Sequence, residues 1–135
     1  MKKIADTGLL KAFIDSDDLQ HDWGVEQFQE HAPFYTCDAV LVELAFVLNT
    51  SIPGLALLQR GELILDFDLS AEAKPLLDLL SKYRDREMEL ADACLVRMAE
   101  LNSQCKIWTV DREDFSIYRR HGRQVVPCVF PPMKG

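Results

Sequence analysis

Apolar side chains along this chain come in short blocks whose spacing switches between strand-like runs and helical repeats. A run over residues 2–5 ends at Asp6-Thr7-Gly8 and predicts a buried strand that breaks into a turn. Leu9, Leu10, Phe13 and Ile14 then recur at helical spacing, followed by a polar break from Asp15 to Asp18. Trp23, Glu26, Gln27 and Phe28 predict an amphipathic helix over residues 18–30, which Pro33 ends before a second strand at Phe34-Tyr35-Thr36. Asp38 can cap a helix over residues 39–48, with residues 51–54 as its terminator and a short helix over 55–60 beyond. A third strand is expected over 62–66. A helix over 70–82 follows, carrying Pro75 in its first turns, where a missing amide costs little. Residues 91–101 read as a helix, 106–109 as a fourth strand running into Val110-Asp111, and 124–129 as a fifth strand before a Pro-rich tail.

Strands separated by helical repeats imply βαβ units and an α/β fold built on a parallel sheet of four to five strands. In such sheets ligands bind beyond the carboxyl ends of the strands. At 135 residues the chain is expected to form a single domain over 1–135. Its 48 % hydrophobic and 27 % charged residues are globular composition, not that of a disordered chain.

The formal net charge is -7. That excludes a protein that coats nucleic acid by bulk attraction, but not an enzyme that meets a phosphodiester through bound cations. Residues 1–68 carry 4 basic and 12 acidic side chains, whereas residues 69–135 carry 11 and 10. The arginines gather at Arg84 and Arg86 and at Arg112, Arg119, Arg120 and Arg123, either as a solvated surface or as a rim that touches phosphates. Cys37, Cys94, Cys105 and Cys128 form no C-x-x-C pair, so reduced thiols are expected. No signal-like run or long apolar stretch is evident, and the expectation is a cytoplasmic protein without membrane contact.

Four acids stand out against this background. Asp6 follows the first strand and Asp111 the fourth; each alone reads as a helix cap or turn residue. Glu43 is the one polar side chain in Ala39-Val40-Leu41-Val42-Glu43-Leu44-Ala45-Phe46-Val47-Leu48, and a helix apolar on all sides is expected to be buried. A carboxylate there must be paired, protonated or bound to metal, an arginine partner being the plain alternative. Asp92 opens another apolar helix between small Ala91 and Ala93, with Glu89 three residues earlier. Together these hard oxygen donors point to a divalent-cation site for Mg²⁺ or Mn²⁺.

Asp6-Thr7-Gly8, Glu43 in its apolar helix, Leu90-Ala91-Asp92-Ala93 and Thr109-Val110-Asp111-Arg112-Glu113-Asp114-Phe115 occur in the order and rough spacing of PIN-domain nucleases. With Tyr118-Arg119 shortly beyond, the chain resembles the VapC-like ribonuclease toxins over nearly its whole length, from Ile4 to about Val129. The resemblance implies a Rossmann-like PIN fold with strand order 3-2-1-4-5 and a metal-dependent endoribonuclease. It also implies a small antitoxin as partner and a homodimer. It carries the ligand role to Asp6, Glu43, Asp92 and Asp111, and a supporting role to the hydroxyls of Thr7 and Thr109. Asp114 is an auxiliary acid, and Glu89 stands where relatives often carry Asp. Arg112 and Arg119 are candidate RNA contacts.

On this reading the cation lowers the pKa of a water, aligns it with the phosphorus and stabilises the leaving oxygen. The alternative is a PIN-like module that binds protein or RNA without cutting. Trp23 and residues 51–60 are the candidate apolar surface for a partner. Competing enzyme classes lack their residues. There is no Asp-x-Asp at the first strand, no lysine closing the fourth, no G-x-S-x-G, no Walker loop and no G-x-G-x-x-G.

Overall fold

A computed structural model describes residues 1–133; the last two positions of the expected 1–135 domain lie outside the described residues. Strand β1 (Lys2–Ala5) buries Ile4 and Ala5 completely. It pairs in parallel with β4 (Cys105–Trp108) from Lys2↔Cys105 to Ala5↔Trp108, and with β2 (Phe34–Thr36) at Ile4↔Tyr35. β3 (Leu63–Leu65) adds to β2, and β7 (Cys128–Val129) adds to β4, both in parallel. The order β3-β2-β1-β4-β7 is the expected α/β Rossmann-like arrangement, with β7 as the fifth strand.

Helix α1 (Thr7–Ile14) packs against α2 (His21–His31) and α3 (Asp38–Leu48). The α1–α2 contact is close because Gly24 carries no Cβ: one placed there would lie 2.7 Å from the backbone of Ala12 and Phe13. Phe13 stacks on Phe28 beside it, ring centroids 4.0 Å apart. α6 (Leu90–Leu101) is the most buried helix and packs on α5 (Ala73–Lys82) and α3. α4 (Ile52–Gln59) joins α3 to β3. All four cysteines are free thiols, and among the described residues no helix is long and apolar enough to cross a membrane.

Several element boundaries differ from the expectation, each for a local reason. α2 starts at His21, not at residue 18, because the Asp15 and Asp18 carboxylates accept from the amides of Asp17 and Gln20 and hold the chain in turns. α4 starts at Ile52 rather than 55. Asn49, in the left-handed region at φ 57, ends α3, and Pro53 sits in the first turn of α4, where proline is favoured. α5 starts at Ala73 rather than 70, after a turn in which the Asp68 carboxylate accepts from the Ala71 amide.

The segment expected as one strand over 124–129 divides at Pro127, which has no amide to donate. Its first part, β6 (Gln124–Val125), forms an antiparallel hairpin with β5 (Arg119–Arg120). His121 and Gly122 at the turn both take positive φ. Helix α7 (Arg112–Ile117) was absent from the expectation: it is short and buries only Phe115, so it has no apolar period to read.

The expected burial of the helix carrying Glu43 is corrected. α3 buries Val40 and Leu44 but leaves Val42 71 % and Phe46 85 % exposed. Its uniform apolarity reflects an exposed hydrophobic face, not an interior position, and Glu43 is half-buried.

Candidate metal centre

β1 and β4 are neighbours in register, so the residues just past their carboxyl ends meet. Asp6 is 6 % exposed and caps α1, its Oδ1 accepting from the Thr7 amide at 2.6 Å. Its Oδ2 accepts from the Thr109 hydroxyl at 2.6 Å. The same Thr109 oxygen accepts from the Asp111 amide at 3.0 Å, and Asp111 Oδ1 accepts from the Asp114 amide at 3.0 Å, capping α7. One chain of hydrogen bonds thus links Asp6, Thr109, Asp111 and Asp114.

The first turn of α6 brings Asp92 to the same place. Its Oδ2 accepts from the Tyr118 hydroxyl at 2.9 Å. Tyr118 is buried and held edge-on against Tyr83 and Phe115, with centroids 5.1 and 5.2 Å away. Carboxylate oxygens of Asp92, Asp111 and Asp114 lie within 4.8 Å of one another. Asp6, Thr7, Glu43 and Glu89 line the same cleft of about 500 Å³.

These carboxylates are crowded, and Asp6 is buried among them. Burial, and then the negative charges of Glu43 and Asp111, raise the Asp6 pKa to about 6, against the hydrogen bonds from Thr109 and Thr7. Burial and the Asp6 charge raise Asp92 to about 7, against the Tyr118 hydrogen bond. Asp111 is also raised, chiefly by burial. Among the described residues no Lys, Arg or His forms an ion pair with Asp6, Glu43, Asp92 or Asp111, so the arginine partner considered for Glu43 is absent. Lys11 reaches the cleft edge but is held by Asp15 and Asp18 at 3.3 and 2.7 Å.

The Thr7 Oγ1, buried at the cleft wall, has no hydrogen-bond partner among the described residues. Hard carboxylate oxygens beside an unsatisfied hydroxyl are a donor set that fits Mg²⁺ or Mn²⁺.

Two expected site residues fall elsewhere. Arg112 donates to the Pro131 carbonyl at 2.9 Å and lies over the Phe130 ring, 4.5 Å from its centroid. Arg119 donates to the carbonyls of Ser116, Ile117 and Tyr118. Neither lines the cleft: free carbonyls near the C-terminal end of α7 and in the tail take up their guanidinium donors. The arginine that does line it is Arg86, 2.7 Å from Asp114 Oδ1. Neither Arg86 nor Tyr118 was a site candidate, although both stood in the sequence patterns noted; only the tertiary fold brings them to the acids.

Tyr118→Phe is expected to push the Asp92 carboxyl higher still. A hydrogen bond to a charged group is worth roughly 1.5 kcal/mol, or about one pH unit, and a carboxyl-detected NMR titration of the metal-free protein reads it directly. An unmoved Asp92 midpoint would mean that the phenol does not act on the charged form. No protein-family model matches the chain, and no curated protein matches it in sequence.

Proposed function

We propose that this cleft is the divalent-cation site of an endoribonuclease of the PIN-domain, VapC-like kind. The observation that carries the reading is the convergence of the buried Asp6 and the half-buried Asp92 and Asp111 from three separate segments, with no basic side chain among the described residues paired to any of the three. Asp6, Asp92 and Asp111 repel one another without an ion pair of their own, and protons or a cation relieve that repulsion.

Asp6, Glu43, Asp92 and Asp111 are the proposed ligands to one or two Mg²⁺ or Mn²⁺ ions, with Asp114 as the auxiliary acid and Glu89 at the cleft edge. When bound, such an ion supplies charge for the phosphate and lowers the pKa of a water. Thr109 holds the Asp6 carboxylate and the Asp111 backbone amide, and the Asp114 amide holds the Asp111 carboxylate, so both acids stay in place as a substrate approaches. Tyr118 orients Asp92 in the same way. Asp92 or Asp111 accepts the proton of the attacking water. Thr7 turns its unpartnered hydroxyl to the ion or to a water beside it.

The toxin reading adds a protein partner, an antitoxin or a second copy. Val42 and Phe46 of α3, with Ile52 and Leu55 of α4, are exposed apolar side chains near the cleft and are the proposed contact. Trp23, the other apolar candidate, packs against the core instead.

The decisive assay is incubation of the purified chain with total RNA. We expect discrete internal cuts with Mg²⁺ or Mn²⁺ and none with a chelator. Intact RNA under every divalent ion tried would remove the nuclease reading.

A further inference from the structure

Arg86 occupies an unusual place for a basic residue in an acidic cleft. It closes a 3₁₀ turn (Arg84–Arg86), and Glu87 after it takes the left-handed conformation at φ 56. Its Nη2 lies 2.7 Å from Asp114 Oδ1 and 3.9 Å from Glu113 Oε1. Among the described residues Asp114 is therefore the one member of the Asp92–Asp111–Asp114 group that has a basic partner. The buried Thr7 hydroxyl, which lines the same cleft and has no hydrogen-bond partner among the described residues, is a second sign that the cleft takes a ligand.

Three features bear on what this pair does. The Arg86 and Asp114 side chains are about one-third exposed, so solvent screens their ion pair and leaves it weak, and a dication that prefers Asp114 displaces the guanidinium at little cost. Lys11 is tied to Asp15 and Asp18, which leaves Arg86 as the cation of the cleft that can be released inward. The planar guanidinium fork matches two phosphate oxygens at once, which an acidic cleft otherwise repels.

We propose that Arg86 is an exchangeable counter-ion. It holds Asp114 in the ion-free protein, gives it up when a divalent cation enters, and then anchors a phosphate of the incoming chain. The proposal rests on the cation reading of the cleft and adds to it a built-in competitor and a phosphate-binding residue.

The test is a Mn²⁺ titration of the full chain, followed by electron paramagnetic resonance of the free ion, on wild type, Arg86→Gln and Arg86→Lys, with circular dichroism to confirm folding. Arg86→Gln should bind Mn²⁺ about two- to fivefold more tightly, the range set by the weak pair it removes. At saturating Mn²⁺ its KM for RNA should rise about tenfold, in line with a lost charge-assisted phosphate contact. Arg86→Lys should fall between, because a point charge replaces the fork; if Arg86→Gln does not fold, this variant carries the test. A purely structural ion pair gives Mn²⁺ affinity that is unchanged or weaker in folded Arg86→Gln, and that result overturns the proposal. Tightening without RNA cleavage by wild type supports the exchange and removes the nuclease reading. Absence of Mn²⁺ binding in all three proteins removes both.

Discussion

Asp92→Asn is expected to lose RNA cleavage by about two to three orders of magnitude while making the ion-free protein more stable above neutral pH. The two effects share one cause. Asp92 is half-buried among other acids, and its carboxyl is raised to about 7 by burial and then by the Asp6 charge, so ionising it in the folded protein is costly. The amide keeps the size of the side chain and its oxygen still accepts from the Tyr118 hydroxyl, but the charge is gone. Function loses a hard anionic donor, and an electrostatic contribution of this kind typically carries a factor of 10²–10³. The fold loses the cost of burying a charge, and with it the repulsion from Asp6, together on the order of 2–3 kcal/mol, taken at the low end because Asp6 and Asp92 share one field. Cleavage assays with Mn²⁺ and thermal melts in chelator at pH 8 read the pair. A variant that cuts like wild type sinks the ligand role; one that melts lower than wild type at pH 8 shows that the charge was compensated.

The second large effect is a stability profile that runs opposite to ordinary acid denaturation. The folded-state carboxyls of Asp6 and Asp92 are raised to about 6 and about 7 from the usual 3.8. Between about pH 4 and pH 7 the folded protein therefore holds protons that the unfolded chain has released. Stability from these two groups is present at the acid end of that window, is lost as pH rises through the folded values, and levels off above about pH 7. The ion-free protein should thus melt several degrees lower at pH 8 than at pH 5.5. Mn²⁺ should reverse the loss: at a hundredfold excess over Kd a ligand adds about 2.7 kcal/mol, or roughly 10 °C for a domain of this size. Melts at pH 5.5 and 8, with and without Mn²⁺, provide the four values. A profile that is flat or rises toward pH 8 in chelator would show that the carboxylates are not destabilising one another.

The sheet was legible because β1, β2 and β4 are short apolar runs that end sharply at Asp6, Cys37-Asp38 and Thr109-Val110-Asp111, and helical repeats lie between them. The strand ends located Asp6 and Asp111, since residues past adjacent parallel strands must meet. Asp92 was legible from the small residues around it at a helix start. Glu43 was found for a reason that does not hold. Its helix is apolar on the outside as well as the inside, and periodicity cannot tell an exposed apolar face from a buried one. α7 and the Arg119–Arg120 hairpin escaped because each is too short to carry a period. Arg86 and Tyr118 escaped because their place beside Asp114 and Asp92 depends on packing between elements far apart in sequence. Arg112 follows Asp111 in the chain, yet its guanidinium turns to Phe130 and Pro131, a contact no local pattern reveals.

Asp6 and Asp111 are spaced by backbone rather than by side-chain choice: the Asp6 amide donates to the Trp108 carbonyl, extending a four-residue ladder, and a single threonine oxygen serves both acids. The cleft therefore has a rigid floor and adjustable walls. The exposed residues of the 3₁₀ turn, by contrast, hold no place in that ladder, so exchanging them alters the cleft's rim and leaves the strand ends beneath it as they are.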